Sequence, residues 1–163
     1  MTLFIRPATR ADLPLIAQLI RDLADYEKLA HEVRFDEAVL GDKLFGARLY
    51  AEVLIGEIDD TPQGFALFFH NFSTFEGKPG IYLEDLFVRP EARGSGLGKA
   101  LLARLAALAV ERDCARLEWS VLDWNTPAFG FYQSIGARLM DGWTGMRLDG
   151  QQLADLGQPF AAE

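Results

Sequence analysis

The residues most able to do chemistry stand in two neighbouring stretches. One is Arg93-Gly94-Ser95-Gly96-Leu97-Gly98-Lys99, placed between an apolar run and a long apolar helix pattern. Alternate glycines before a helix leave backbone N–H groups free and let a ligand come close to the main chain, and the helix start adds positive partial charge. Arg93 and Lys99 add full charges on either flank, so the turn suits a diphosphate. Two commoner phosphate loops do not fit. Lys99 is followed by Ala100 rather than Ser or Thr, and Lys99 occupies the place of the last glycine of G-x-G-x-x-G. The other stretch is Ile81 to Val88, which carries Glu84 and Asp85 in an otherwise mostly apolar strand. With period two, Ile81, Leu83, Asp85 and Phe87 share one face, and Tyr82, Glu84, Leu86 and Val88 the other. Burying an unpaired charge is costly, so each carboxylate needs a partner, a solvated cleft or a function.

The elements that hold these stretches follow from hydrophobic periodicity. Leu3 to Arg6 is a short strand. Leu15, Ile16, Leu19, Ile20 and Leu23 give a helix, whose cap is either Thr9 with Asp12 or Asp12 with Pro14 in the first turn. A second helix runs from Asp36 to about Phe45. Strands are expected at Arg48 to Ile55 and Phe65 to Phe72, joined by turn residues from Asp59 to Gly64, and again at Ile81 to Val88. A long helix opens at Gly94 to Gly98 and continues to about Arg112. Arg116 to Leu122 is a strand, Asn125-Thr126-Pro127 starts a helix, and Gly136 ends it. Ala137 to Leu148 is expected to finish the sheet, with a short helix from Asp149 to Leu156. This order predicts an α/β domain with a mixed sheet, antiparallel first and parallel around the long helix.

Size and charge narrow the function. A chain of 163 residues with 12 Phe fits one domain, residues 1–163, with a proper core. No apolar run reaches the roughly 20 residues of a membrane span, and no signal peptide is expected. The net charge of −8 disfavours nucleic acid and anionic membranes and suits a cationic partner. One cysteine, Cys114, excludes an internal disulfide framework and reads as a packing residue. His31 and His70 lack a third partner at ligand spacing, so no metal is expected. A cytoplasmic location follows.

Val88-Arg89-Pro90-Glu91-x-Arg93-Gly94-x-Gly96-x-Gly98 resembles the R-x-x-G-x-G/A acetyl-CoA motif of the GNAT N-acetyltransferases. Ile5-Arg6-Pro7-Ala8-Thr9, Leu23-Ala24-x-Tyr26-Glu27, Tyr82-Leu83-Glu84-Asp85-x-Phe87-Val88, Trp124-Asn125-x-Pro127 and Phe131-Tyr132-x-x-x-Gly136-Ala137 look like its diamine (spermidine/spermine-type) branch. The resemblance covers nearly the whole chain and implies a GNAT-like mixed sheet flanked by helices. It implies acetyl-CoA as donor, a small amine acceptor and a homodimer. Glu84 would be the base and amine ligand, and Tyr132 the acid for the departing thiolate. Backbone contacts to the acetyl-pantetheine arm would fall on Leu86, Phe87 and Val88, and further cofactor contacts on Asn125, Thr126, Pro127 and Ala128. Acceptor contacts would come from Tyr26, Glu27, Glu84, Asp85 and Asp141, with Trp143 nearby and Glu118, Trp119 and Ser120 as further candidates. Gln133 and Ser134 depart from the basic residues of that branch and leave the acceptor open. A peptide or antibiotic amine, or a non-catalytic acyl-CoA sensor, are the alternatives.

Overall fold

The computed structural model describes residues 1–162. The chain divides into two compact units, residues 1–120 and the remainder from Val121. The first holds a five-stranded sheet in sequence order: β1 (Leu3–Pro7), β2 (Glu52–Ile58), β3 (Thr61–Ser73), β4 (Lys78–Val88) and β5 (Leu117–Trp119). The first four strands pair antiparallel, and β4 pairs parallel to β5. That arrangement is the one the alternation of elements predicts.

Two helices, α1 (Leu13–Tyr26) and α2 (Glu37–Phe45), cover one face. Ile16, Leu19 and Leu23 of α1 and Leu44 of α2 pack with Val53, Ile55, Phe65, Leu67 and Phe87. Helix α3 (Leu97–Glu111) covers the other. The alternation of the strands shows this: a Cβ on Gly56, next to Ile55, would meet Leu97 at 2.8 Å. Leu97, Leu101 and Leu105 are buried, and each such burial is worth about 1.5–3 kcal/mol.

Both readings of the first helix start hold together. Thr9 and Asp12 form a capping box around a 3-10 turn, and Asp12 then caps α1 with Pro14 in its first turn. Arg6 fastens this corner, donating to both Asp12 oxygens at 2.8 and 3.0 Å and to Glu57. Asp36 caps α2 by accepting from Val39 N–H at 3.0 Å.

Several boundaries differ from expectation. The β2–β3 turn is only Asp59-Asp60, both left-handed (φ 48° and 65°), so β3 begins at Thr61 rather than Phe65. Strand β2 starts at Glu52, not Arg48. Strand β5 spans three residues rather than Arg116 to Leu122. The expected closing strand at Ala137–Leu148 is absent among the described residues. The second unit contains α4 (Thr126–Ser134) and α5 (Gly150–Gly157) but no strand to pair with, and an isolated hairpin is marginal in water.

Candidate active site

Strand β4 carries an irregularity at its acidic residues. Phe68 opposes Leu83 and Leu67 opposes Asp85, so β3 advances one residue while β4 advances two. Glu84 is the extra residue of a β-bulge. Opposed residues share a face, and consecutive residues of β3 point oppositely. Asp85 and Phe87 therefore lie on the α1 side with Leu67 and Phe65, whereas Leu83 and Ile81 lie on the α3 side. This corrects the simple alternation, which put all four on one face. The bulge leaves Glu84 exposed while Leu83 and Phe87 are buried.

The same place is where β4 leaves β5. Their parallel pairing runs from Ile81 opposite Leu117 to Leu83 opposite Trp119. Beyond it β4 continues through Leu86, Phe87 and Val88, paired to β3 alone. Among the described residues no strand pairs with that backbone edge, an edge of the kind an extended ligand can use. Tyr82 Oη and Ser120 Oγ, 2.7 Å apart, bridge the two strands just before they part.

On the α1 side, Asp85 lies within the electrostatic reach of Glu84 and Glu27. Burial, followed by those two charges, pushes Asp85 up to about 7. Burial also holds Glu27 above the usual carboxylate range. Helix α1 presents Glu27 through its ending. Lys28 is left-handed (φ 62°), Lys28 N–H donates to Asp25 O at 3.1 Å and Leu29 N–H to Ala24 O at 2.8 Å. That is a Schellman termination with Lys where glycine is usual. Tyr26, the last residue of α1, lies under the guanidinium of Arg93, 4.5 Å from the ring centroid.

The glycine turn adopts the geometry its composition suggests. Gly94 and Gly96 have φ of 82° and 89°, and Gly96 caps α3. The Gly96 carbonyl accepts from Ala100 N–H, so the amides up to Lys99 precede the helical ladder. Leu97 N–H is taken by Ser95 Oγ at 3.2 Å. A Cβ on Gly94 would meet nothing within 4 Å, so the loop's backbone faces open space. Arg93 and Lys99 are exposed beside it. These features suit an anionic diphosphate.

The remaining sequence candidates are more scattered. Glu118 on β5 accepts from Asn71 Nδ2 at 3.2 Å and pairs with Arg116 at 3.3 Å, a structural engagement. Trp119 is half-buried beside it. In the second unit, Asn125 precedes α4, with Thr126, Pro127 and Ala128 in its first turn. Tyr132 packs on Phe131 with ring centroids 5.4 Å apart. Gly136, at φ 94°, ends this helix with Gly136 N–H on Gln133 O and Ala137 N–H on Tyr132 O. Asp141 and Trp143 are exposed in the strandless segment. Sequence reasoning did not single out Tyr82 or Arg89. Both sit in motifs quoted for other residues; Tyr82 gains its place from the β4–β5 parting and Arg89 from a cavity beside the end of α1.

Residues 16–137 match the acetyltransferase (GNAT) family. A thialysine N-epsilon-acetyltransferase of Bos taurus is 36% identical over 93% of this chain and 95% of its own length. The human spermidine/spermine N(1)-acetyltransferase-like protein 1 is 30% identical over 93% of this chain, which spans 23% of that protein. Among solved structures, an integron cassette protein from the mobile metagenome of V. cholerae superposes with a TM-score of 0.80 at 29% identity. It covers 97% of this chain and 99% of its own.

The chain belongs to the GNAT acetyltransferase family. It is an N-acetyltransferase, and its resemblance to the diamine acetyltransferase branch holds. Among the described residues no helix is long and apolar enough to cross a membrane, and no group of three His, Cys, Asp or Glu could hold a metal.

Proposed function

We propose that this protein transfers the acetyl group of acetyl-CoA to a small cationic primary amine, whether a polyamine, a diamine or a lysine-like amino acid. The observation that carries this is the acidic bulge where β4 leaves β5, Glu84 beside Asp85 with Glu27 in electrostatic reach, on the strand that leads to the glycine loop. An ammonium group suits three carboxylates, and a diphosphate suits the loop. The full chain, 1–163, then acts as one acetyltransferase domain, a reading supported by the family match crossing from the first unit into the second.

When bound, acetyl-CoA supplies the acetyl group as a thioester. Arg93, Lys99 and the amides of Gly94, Gly96, Gly98 and Lys99, with Ser95 and Leu97 shaping the turn, hold its diphosphate. Amides of Leu86, Phe87 and Val88 donate to the thioester carbonyl, and Asn125 to Ala128 add contacts from α4. An alkyl amine with a pKa of about 10.4 arrives protonated, yet only its neutral form attacks. Glu84, directly or through water, takes one proton from the ammonium to free the attacking lone pair. As the nitrogen bonds to the carbonyl carbon it sheds a second proton, which passes through water to restore the Tyr132 hydroxyl after that group has protonated the departing sulfur. The carbon–sulfur bond breaks, and the Tyr132 hydroxyl gives its proton to the sulfur. Tyr26, Glu27, Asp85, Glu118, Trp119, Ser120, Asp141 and Trp143 complete the acceptor contacts. The enzyme works in the cytoplasm as a homodimer, without a metal.

Free-thiol release from acetyl-CoA across spermidine, putrescine, lysine and a basic peptide tests the reading. Release with small amines is expected, strongly reduced in Glu84→Gln. In Tyr132→Phe turnover should fall with CoA affinity nearly intact. CoA binding with no release for any amine would instead mark a sensor.

A further inference from the structure

Strand β5 is held to β4 by only three residue pairs, Ile81 with Leu117, Tyr82 with Glu118 and Leu83 with Trp119. So short a ladder opens readily, and side chains reinforce it in two places. One tie comes from β3: Asn71 Nδ2 reaches across β4 and donates to Glu118 Oε1 at 3.2 Å. Gly80 makes room for it, since a Cβ there would meet Asn71 Oδ1 at 2.5 Å. The other tie is the hydroxyl pair of Tyr82 and Ser120, 2.7 Å apart, and Ser120 is the first residue past the last pair.

This second tie runs diagonally. Tyr82 is paired with Glu118, so its ring leans forward by two residues, roughly 6.6 Å along the strand, to reach Ser120. Phe69, its cross-strand partner on β3, packs against the ring with centroids 5.3 Å apart and so holds its direction. The hydroxyl bond therefore crosses the pair of Leu83 and Trp119, the last before the strands part, and the bulge residue Glu84 follows at once. A bulge bends its strand and increases the local twist, so β4 turns away where β5 runs on. Backbone pairing has ended there, and a side-chain bond fixes the apex of the cleft.

We propose that Tyr82 and Ser120 are positioning residues for acetyl transfer: their hydroxyl bond clamps the apex of the β4–β5 cleft and sets the placement of Glu84 and of the β4 edge against the bound thioester. The inference rests on the acetyl transfer argued above, in which that edge polarises the thioester carbonyl. Ser120, with one donor and two acceptor sites, keeps capacity for an amine as well. Loosening the clamp leaves the glycine turn beyond the end of β4 in place. Donor affinity then survives while alignment of the reacting atoms, on which the rate depends steeply, is lost.

The test follows thiol release from acetyl-CoA by the full-length protein, with whichever of spermidine, putrescine and lysine gives the fastest release. Tyr82→Phe keeps the ring against Phe69 and removes the bond, and Ser120→Ala removes it from the other side. In each, kcat is expected to fall about 3–10-fold, the range of one neutral hydrogen bond, with KM for acetyl-CoA within about twofold of the wild type. The double variant should fall no further than either single one, because all three lose the same bond. Ser120→Thr, which keeps a hydroxyl, should recover most of the loss. Folded variants with the wild-type kcat and only a lowered thermal midpoint would reduce the pair to a staple of the fold and overturn the proposal. So would losses that multiply in the double variant, or a loss confined to the amine KM of Ser120→Ala with Tyr82→Phe silent. No release by the wild type with any of these amines would overturn the acetyl-transfer reading and the clamp together.

Discussion

The Arg93 guanidinium lies over the Tyr26 ring, 4.5 Å from its centroid, and so fastens the glycine turn to the last residue of α1. The first anchors the proposed diphosphate site, and the second borders the proposed acceptor site. One cation–π contact at an exposed position contributes only about 0.5–1 kcal/mol. Its consequence is geometric: displacement of Arg93 is felt at Tyr26 and, one residue on, at Glu27.

Asp85 gives the protein a pH dependence of stability with a definite sign. Its carboxyl is pushed up to about 7 by burial, then by Glu84 and Glu27, from the ordinary 3.8 that the unfolded chain keeps. Between those values the folded state holds a proton that the unfolded state has lost, so stability falls as pH rises through this window. Asp85→Asn cannot ionise. Its thermal midpoint is expected above that of the wild type at pH 8, with the gap closing towards pH 4. A gap of equal size at both pH values would refute the assignment.

The Arg6–Asp12 corner works in the opposite direction. The guanidinium of Arg6, followed in effect by the Thr9 N–H, holds Asp12 below its ordinary range. A depressed carboxylate contributes stability that is present above the unfolded value of 3.8 and lost as pH falls through the folded one. Asp12→Ala is expected to lose about 1–2 kcal/mol at pH 7, as for a cap plus a partly exposed ion pair. Urea unfolding at pH 7 and pH 3 measures it, and the difference should shrink at the lower pH.

Glycines of the turn separate by backbone geometry. Gly96 has φ 89°, so Gly96→Ala forces an L-residue into a left-handed conformation at about 1–2 kcal/mol. A Cβ on Gly98 would sit 3.7 Å from Val88 Cγ2, an ordinary contact, inside α3. Gly98→Ala should be neutral or slightly stabilising in a thermal melt. A larger loss for Gly98→Ala than for Gly96→Ala would contradict this account.

Sequence patterns expose features fixed by local chemistry. Pro127 inside α4, Gly136 at its end, Asp36 before α2 and the glycine turn before α3 all stand where their residue types place them. The bulge at Glu84 was invisible because both faces of β4 are largely apolar, so period two has no phase to reveal a slip. The β2–β3 turn was overestimated because Thr61-Pro62-Gln63-Gly64 has turn composition, yet Asp59 and Asp60 make the reversal alone. The electrostatic coupling of Glu27 to Asp85 links the end of α1 to β4 across a long stretch of chain, a relation no local pattern carries.

The sheet's strand order has a kinetic side. Because β1 to β5 lie in the sheet in the order in which they occur in the chain, each strand docks on its immediate predecessor. The hairpins β2–β3 and β3–β4 close short loops at little entropic cost. Strand β1 joins β2 only across α1 and α2, and β5 must wait for the whole of α3 to cross over before its three pairs can form. Low contact order favours rapid assembly of the meander, and the cleft between β4 and β5 is then among the last parts of the molecule to be sealed.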